Sequence, residues 1–293
     1  MLGSINIDYS CSVESLPRPG QTIIGNNLFT TPGGKGANQA GAARRAGSVV
    51  CMTGAVGSDE IATQALSCLA ADEVDTSGVA TVAGPTGCAF VFVDAKSENQ
   101  IVIVPGANAG VTESQARGLP VKANDILLLQ LEVPTPIVAL AASTARSNGA
   151  TVIANLAPYQ TMPVEFFSSV DILLLNETEA EQLAIDLELQ HAKGHIAVNL
   201  SHFLNTTVVL TLGANGVIAA NAEDIIEIPG ISVDAIDTVG AGDTFAGYLG
   251  SRLEQGDTLE TACTTANLAA ATACTKSGAQ TAIPTRDALD KLL

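Results

Sequence analysis

The sequence predicts an α/β protein built on a mostly parallel sheet with helices on both faces, and two observations carry that expectation. From about residue 120 onward, short runs rich in leucine and β-branched residues alternate with helical stretches: Ile126 to Gln130, Thr151 to Leu156, Asp171 to Asn176 and Thr207 to Gly213. Such alternation builds βαβ units on a parallel sheet. The same runs are apolar at nearly every position, as strands are when helices cover both faces of their sheet.

Two stretches break this rhythm, Gln21 to Thr31 and Cys88 to Val104. In the second, CAFVFVD and QIVIV flank the polar turn AKSEN, which reads as an antiparallel hairpin. A hairpin inserted in a parallel protein has few core contacts of its own, so it serves as a lid, as an oligomerisation surface, or as an ordinary sheet edge. With 47% apolar and 15% charged residues, the 293-residue chain has enough apolar side chains for one large core. No repeat, low-complexity tract or Pro/Gly/Ser linker divides it, so one domain over residues 1–293 is expected.

Thirteen Lys and Arg against thirty Asp and Glu give 13 − 30 = −17, a field that repels nucleic acid and anionic membranes. With no Trp, three Tyr and seven Phe, the platforms on which single-stranded nucleic acids stack are also scarce. No nucleic-acid or membrane partner is expected. Cys11, Cys51, Cys68, Cys88, Cys263 and Cys274 are scattered, with no C-x-x-C pair, and are expected to be small buried hydrophobes. His191 and His195 stand four apart without a third ligand at a metal spacing, and read as surface residues. The start, Met1 to Asp8, has no basic or apolar leader pattern, and no apolar run approaches the ~18 residues of a membrane span. A cytoplasmic, reducing location is the expectation.

Five segments carry candidate chemistry. In Asp237-Thr-Val-Gly-Ala-Gly-Asp243-Thr-Phe-Ala-Gly247, a glycine turn leads into a helical pattern. A helix starting there presents unpaired N–H groups and a positive dipole end, an anion site for a transferring phosphoryl group. Asp243 would then accept the proton of an attacking hydroxyl, or would simply cap the helix. In Pro32-Gly33-Gly34-Lys35-Gly36-Ala37-Asn38-Gln39-Ala40, Gly33 and Gly34 admit a ligand against bare backbone or serve close packing. Asn38 offers both donor and acceptor, which suits sugar hydroxyls. Gly3-Ser-Ile-Asn6-Ile-Asp8 reads as a strand end with two short polar groups, and a carboxylate such as Asp8 grips neighbouring hydroxyls. Asn176-Glu177-Thr178-Glu179 reads as a capping box whose Glu179 is also placed to hold Mg²⁺ or its waters. Thr211-Leu-Gly213-Ala-Asn-Gly216 is a turn able to pass close to a nucleotide. No G-x-x-x-x-G-K-[ST] occurs, and G-x-G-x-x-G fails at Phe245 and Gln39, so a P-loop and a dinucleotide fold are both excluded.

Taken together, GSINID, PGGKGANQA, QLE, NETEAE, TLGANG, DTVGAGDTF and SGAQ, in this order and spacing, resemble the ribokinase-like carbohydrate kinases over nearly the whole chain. The resemblance implies a three-layer α/β/α sandwich with a mostly parallel central sheet and a small β lid, here about residues 9–32 and 86–106, often clasped into a homodimer. It implies transfer of the γ-phosphoryl of ATP to the 5-hydroxyl of a small sugar, ribose first. Asn6, Asp8, Gly34, Lys35, Asn38 and Glu132 fall on the family's sugar-binding positions and Asp243 on its base. Gly240, Ala241 and Gly242 fall on its anion hole, and Asn176, Thr211, Gly213, Gly216, Gly242 and Asn267 on its nucleotide site. Glu179 falls beside Mg²⁺, while Asp237, Val239, Ala273, Lys276, Gly278 and Ala282 fall on a site for K⁺. Asn267 and Ala282 stand where other members carry His and Ser, and only Met1 and Leu2 precede Gly3, so a weak first central strand is expected. A sister kinase for deoxyribose or another small sugar uses the same machinery. A non-catalytic sugar or nucleotide sensor is disfavoured by the retained Asp243 and both glycine turns.

Overall fold

The structure, a computed structural model, describes residues 1–95, 99–189 and 195–292. Along the chain the strands are β1 (Asn6–Ser12), β2 (Asn26–Gly33), β3 (Cys51–Gly57), β4 (Asp75–Val82), β5 (Gly87–Val93), β6 (Asn99–Val104), β7 (Ile126–Leu129), β8 (Thr151–Asn155), β9 (Ile172–Asn176), β10 (Thr207–Thr211), β11 (Gly216–Ala220) and β12 (Ile225–Pro229). Six of them form a sheet in the order β12-β11-β10-β9-β8-β7. Its β7 to β10 are mutually parallel and the last two pairings antiparallel. The parallel pair β3–β4 continues this sheet through one residue, because Leu2 bridges both Thr53 and Leu129. The weak first central strand expected from the sequence is thus reduced to a single bridging position.

Side-chain alternation along these strands divides the core into two layers. Leu127, Leu129, Val152, Ala154, Leu173, Leu175, Val208 and Leu210 pack to one side, against Ile137, Val138, Ala141 and Ala145 of the helix Thr135–Ser147. Leu128, Ile153, Ile172, Leu174 and Val209 pack to the other, against Phe245, Ala246 and Leu249 of the helix Ala241–Glu254 and Ala262, Ala266 and Ala269 of the helix Leu259–Ala273. This is the three-layer α/β/α arrangement, and it explains why the strands are apolar at every position.

The segments that broke the sequence rhythm form a second sheet, β2-β1-β5-β6. The expected hairpin is present as antiparallel β5 and β6, with Cys88 opposite Val104, although Lys96 to Glu98 of its AKSEN turn lie outside the described residues. Asn6 and Asp8 do not end a strand, as the sequence read; they open β1, which pairs antiparallel with β2 and parallel with β5. The chain leaves the central sheet after Leu2 and enters the second sheet at Asn6, so a short crossing segment serves both.

One other expectation is corrected. Among the six cysteines only Cys263 is buried; the rest are partly exposed, Cys11 and Cys88 in the second sheet, Cys51 on β3, and Cys68 and Cys274 at helices. His195 is exposed as expected, just before the helix Ile196–Leu204, and His191 lies outside the described residues.

The helix Lys35–Arg45 crosses the helix Ala241–Glu254 at Gly247, where a Cβ would stand 2.4 Å from Ala42 Cβ and 2.6 Å from the Gln39 carbonyl. Glycine is required there for the two backbones to approach. Gly247→Ala is therefore expected to cost roughly 1–3 kcal/mol by overpacking. Thermal unfolding reads this as a clear drop in Tm, and an unchanged Tm would show that the crossing is slack.

Candidate active site

The helix Ala241–Glu254 starts at Gly240, whose φ of 77° is left-handed and suits glycine. Asp243 is the third residue of this helix and not its cap: Gly240 holds the N-cap position and no side chain caps it. The carboxylate turns toward the helix Lys35–Arg45, where Asn38 Nδ2 donates to Oδ2 at 2.8 Å and Gln39 Nε2 donates to Oδ1 at 2.9 Å. Asp243 is 5% exposed, so these donors replace most of the water the carboxylate would have. The Oδ1 of the equally buried Asn38 has no partner in the structure.

Around Asp243 the fold gathers the residues expected to bind sugar. Asn6 and Asp8 lie on one face of β1, two residues apart. Asn6 is oriented by Asn108, whose Oδ1 accepts from the Ile5 N–H at 2.9 Å and whose Nδ2 donates to Asn6 Oδ1 at 2.7 Å. With its oxygen occupied, Asn6 presents its amide hydrogens. The sequence reading missed Asn108; its only local signal was the Pro105-Gly106 turn preceding it. Ser4 donates to Glu132 Oε2 at 2.5 Å, and the same oxygen accepts from the Lys35 N–H at 3.0 Å, so Glu132 serves the open start of the helix Lys35–Arg45.

The glycines before that helix serve close packing. A Cβ on Gly33 would lie 2.1 Å from the Asp8 carboxylate, and one on Gly34, with φ of 90°, 2.8 Å from the Asn6 nitrogen. Burial, reinforced by Glu132 and Asp243 and opposed by Lys35, pushes the Asp8 carboxyl up to about 7. Burial works against the charge on Lys35, but Asp243, Glu132, Glu179 and Asp8 outweigh it and hold the ammonium above its ordinary value.

On the other side of the helix start is a cleft of about 320 Å³, lined by Thr211, Gly213, Gly216, Ala241, Gly242 and Asn267 among others. Five of the six expected nucleotide positions therefore meet in one place. The sixth, Asn176, does not line it. Asn176 caps the helix Glu177–Asp186 in the expected box, accepting from the Glu179 N–H while Glu179 Oε2 accepts from the Asn176 N–H, both at 2.8 Å. Gly242 is exposed with nothing within 4 Å of a built Cβ, so a ligand meets bare backbone here. Asn267 Nδ2 donates to the Pro229 carbonyl, which leaves its oxygen toward the cleft side. Burial pushes the Glu179 carboxyl up, against the Asn176 hydrogen bond and Lys35.

Asp237 joins two loops: its Oδ1 accepts from the Val239 N–H at 3.0 Å and its Oδ2 from the Gly278 N–H at 2.9 Å. Ala273 and Ala282 are buried nearby in sequence, whereas Lys276 is exposed and could offer only its carbonyl. Among the described residues no three His, Cys, Asp or Glu side chains cluster as a metal cage.

This fold, with a cleft and a buried carboxylate on one helix start, is of a phosphotransferase type, and comparison places the chain. Residues 1–286 match the pfkB family carbohydrate kinases, and the chain belongs to that family. A ribokinase of Haemophilus influenzae is 40% identical over 291 residues, covering 98% of this chain and 95% of that protein. The crystal structure of a ribokinase from Thermotoga maritima superposes with a TM-score of 0.88 at 31% identity, over 99% of this chain and 97% of that one. A ribokinase of Arabidopsis thaliana complexed with ribose and ATP superposes with a TM-score of 0.87 at 30% identity, over 99% and 96%.

The Asp8 carboxyl generates a pH dependence with a definite sign. A carboxyl raised from 3.8 to about 7 stabilises the ligand-free fold fully below about pH 4 and loses that contribution as pH rises through 7. Asp8→Asn removes the ionisation, so its Tm relative to the unsubstituted protein should climb between pH 5 and pH 8. A Tm difference that stays flat, or falls, across that range would contradict the crowded carboxylates described here.

Proposed function

We propose that this chain phosphorylates ribose at the 5-hydroxyl, with ATP as donor and Asp243 as general base. One observation carries the reading: a single helix start serves the nucleotide-side cleft and the sugar-side cluster. Gly242 lines the cleft where the nucleotide positions meet, and Asp243, the next residue, reaches the sugar-side cluster through Asn38. Phosphate and hydroxyl are thereby brought to adjacent backbone positions.

In the reaction, the 5-hydroxyl oxygen bonds to the γ-phosphorus while its proton passes to the Asp243 carboxylate. The bond between the γ-phosphorus and the bridging oxygen breaks, and ADP leaves with that electron pair. The N–H groups at Gly240 to Gly242 stabilise the charge that develops on the phosphoryl oxygens. Asp8 accepts from sugar hydroxyls, Asn6 donates to one, and the unpartnered Asn38 Oδ1 accepts another. Mg²⁺ typically binds through one or two carboxylates plus substrate phosphates, and Glu179 is the carboxylate available for it or its waters. For K⁺, the loops joined by Asp237 are the fitting site, with oxygen donors beside the anion hole.

The second sheet acts as a lid over the sugar side and as the surface of a homodimer. Leu28, Phe29, Ile101 and Val102 project from β2 and β6 with more than a third of their surface exposed, an apolar area that a second copy would cover. Six cysteines without a disulfide fit a reducing, cytoplasmic setting, and no helix among the described residues is long and apolar enough to cross a membrane.

Asp243→Asn keeps size and fold, and should lower kcat at least ~10²-fold while ribose and ATP still bind. Activity near the unsubstituted rate would remove Asp243 from the chemistry. The sugar is tested in the same assay: ADP release with ribose should exceed that with deoxyribose and other small sugars, and the reverse order would reassign the substrate within the class.

The cation site has its own test. At constant ionic strength, which excludes general screening, replacing Na⁺ with K⁺ should raise kcat/KM several-fold, and Asp237→Ala should abolish the difference. Equal rates in both salts would discard the K⁺ site without touching the kinase assignment.

A further inference from the structure

We infer that Gln39 and Gln130 are positioning residues that hold the Asp243 carboxylate at its working angle, an inference that rests on Asp243 being the base. Both side chains belong to fully buried residues, 0% exposed, where polar side chains are uncommon. Burying an amide is unfavourable unless its donors and acceptors are met, so two adjacent buried glutamines need a reason.

Their hydrogen bonds run toward Asp243, and they hold the Gln130 amide through its nitrogen alone, since Gln130 Oε1 has no partner. Gln130 Nε2 donates to Gln39 Oε1 at 2.7 Å, and Gln39 Nε2 donates to Asp243 Oδ1 at 2.9 Å. The direction of this relay is set by chemistry. A carboxylate only accepts, so Gln39 must turn its NH₂ toward Asp243; its oxygen then faces Gln130, which must answer with its own NH₂. Gln130 follows β7, the last strand of the six-stranded sheet and the one that Leu2 bridges, and Gln39 lies on the helix that crosses at Gly247. The base is thus tied through two amides to the end of a strand of the main sheet.

Asn38 cannot do this alone. Its Oδ1 has no partner, so its amide is held at the carboxylate end only, whereas the amide of Gln39 is bonded at both ends. Gln39 fixes one carboxylate oxygen while the other is left for Asn38 and the incoming hydroxyl, and small errors in such an angle translate into large losses of rate.

The test uses Gln39→Met and Gln130→Met, which keep length and remove the donor, together with the double variant. Steady-state kinetics with ribose and ATP are read beside calorimetric binding of each ligand and Tm. Gln39→Met should lose about ten- to hundredfold in kcat, the equivalent of one hydrogen bond to a charged group, while both binding constants stay within about twofold. Gln130→Met should lose less, and the double variant should be no slower than Gln39→Met, because Gln130 acts only through Gln39.

Unchanged kcat in Gln39→Met overturns the inference, as does a loss shared equally by kcat, both binding constants and Tm, which would mark a packing role. Independent, multiplying effects in the double variant overturn the relay. Should Gln39→Met fail to fold, Gln130→Met alone must still lower kcat at constant binding, or the inference falls. An active protein whose Asp243→Asn variant is dead but whose Gln39→Met variant is unimpaired rejects the positioning role only; a fully active Asp243→Asn variant rejects the base as well.

Discussion

The close crossing of the helices Lys35–Arg45 and Ala241–Glu254 is the constraint on which the site depends. Gly247 removes the side chain that would hold them apart, and the approach is then near enough for Asn38 and Gln39 to reach the Asp243 carboxylate. The same first helix is pinned at its start by Glu132 and by the bare backbone at Gly36, where a Cβ would lie 2.6 Å from Ser4. At its end Arg45 pairs with Asp72 and donates to the carbonyls of Gln280 and Ile283. Residues separated by more than two hundred positions meet because one helix is held at both ends and has a glycine facing it.

Electrostatics impose the second constraint. A chain of net charge −17 gathers Asp8, Glu132, Glu179 and Asp243 about one Lys35. Like charges at close quarters resist ionisation, which is why burial and its neighbours push the Asp8 carboxyl upward. Backbone N–H groups at the start of the helix Ala241–Glu254 answer this with fixed partial positive charge that needs no side chain. Proteins that handle phosphates need positive potential only where the phosphate sits, and an overall acidic balance is compatible with that.

The second sheet makes an economical connection between scaffold and substrate face. Leu2 is bonded into the central sheet and Asn6 already belongs to the other, with Asn108 clamping the crossing from the loop after β6. Asn6 and Asp8 therefore inherit their positions from the rigid sheet while lying on the element that faces the substrate. A side chain placed in this way can be precise without sitting deep in the core.

Some of this was legible in the sequence alone. The apolar runs at residues 126–130, 151–156, 171–176 and 207–213 declared parallel strands covered on both faces, because a strand buried twice has no polar alternation to show. The hairpin around residues 88–104, the capping box at Asn176 and Glu179, and the glycine turn before Asp243 were equally local, each written in adjacent residues. What only the tertiary structure decided was long-range. That Gly33 and Gly34 exist for Asp8 and Asn6, that Asn108 orients Asn6, and that Gln130 and Gln39 lead to Asp243 depends on chain segments meeting across roughly 25 to 205 positions. A glycine or a glutamine carries no sign of the partner it will meet, since hydrogen bonds and close contacts are set by distance in space, and spacing in sequence records only what a single helix or strand can bring together.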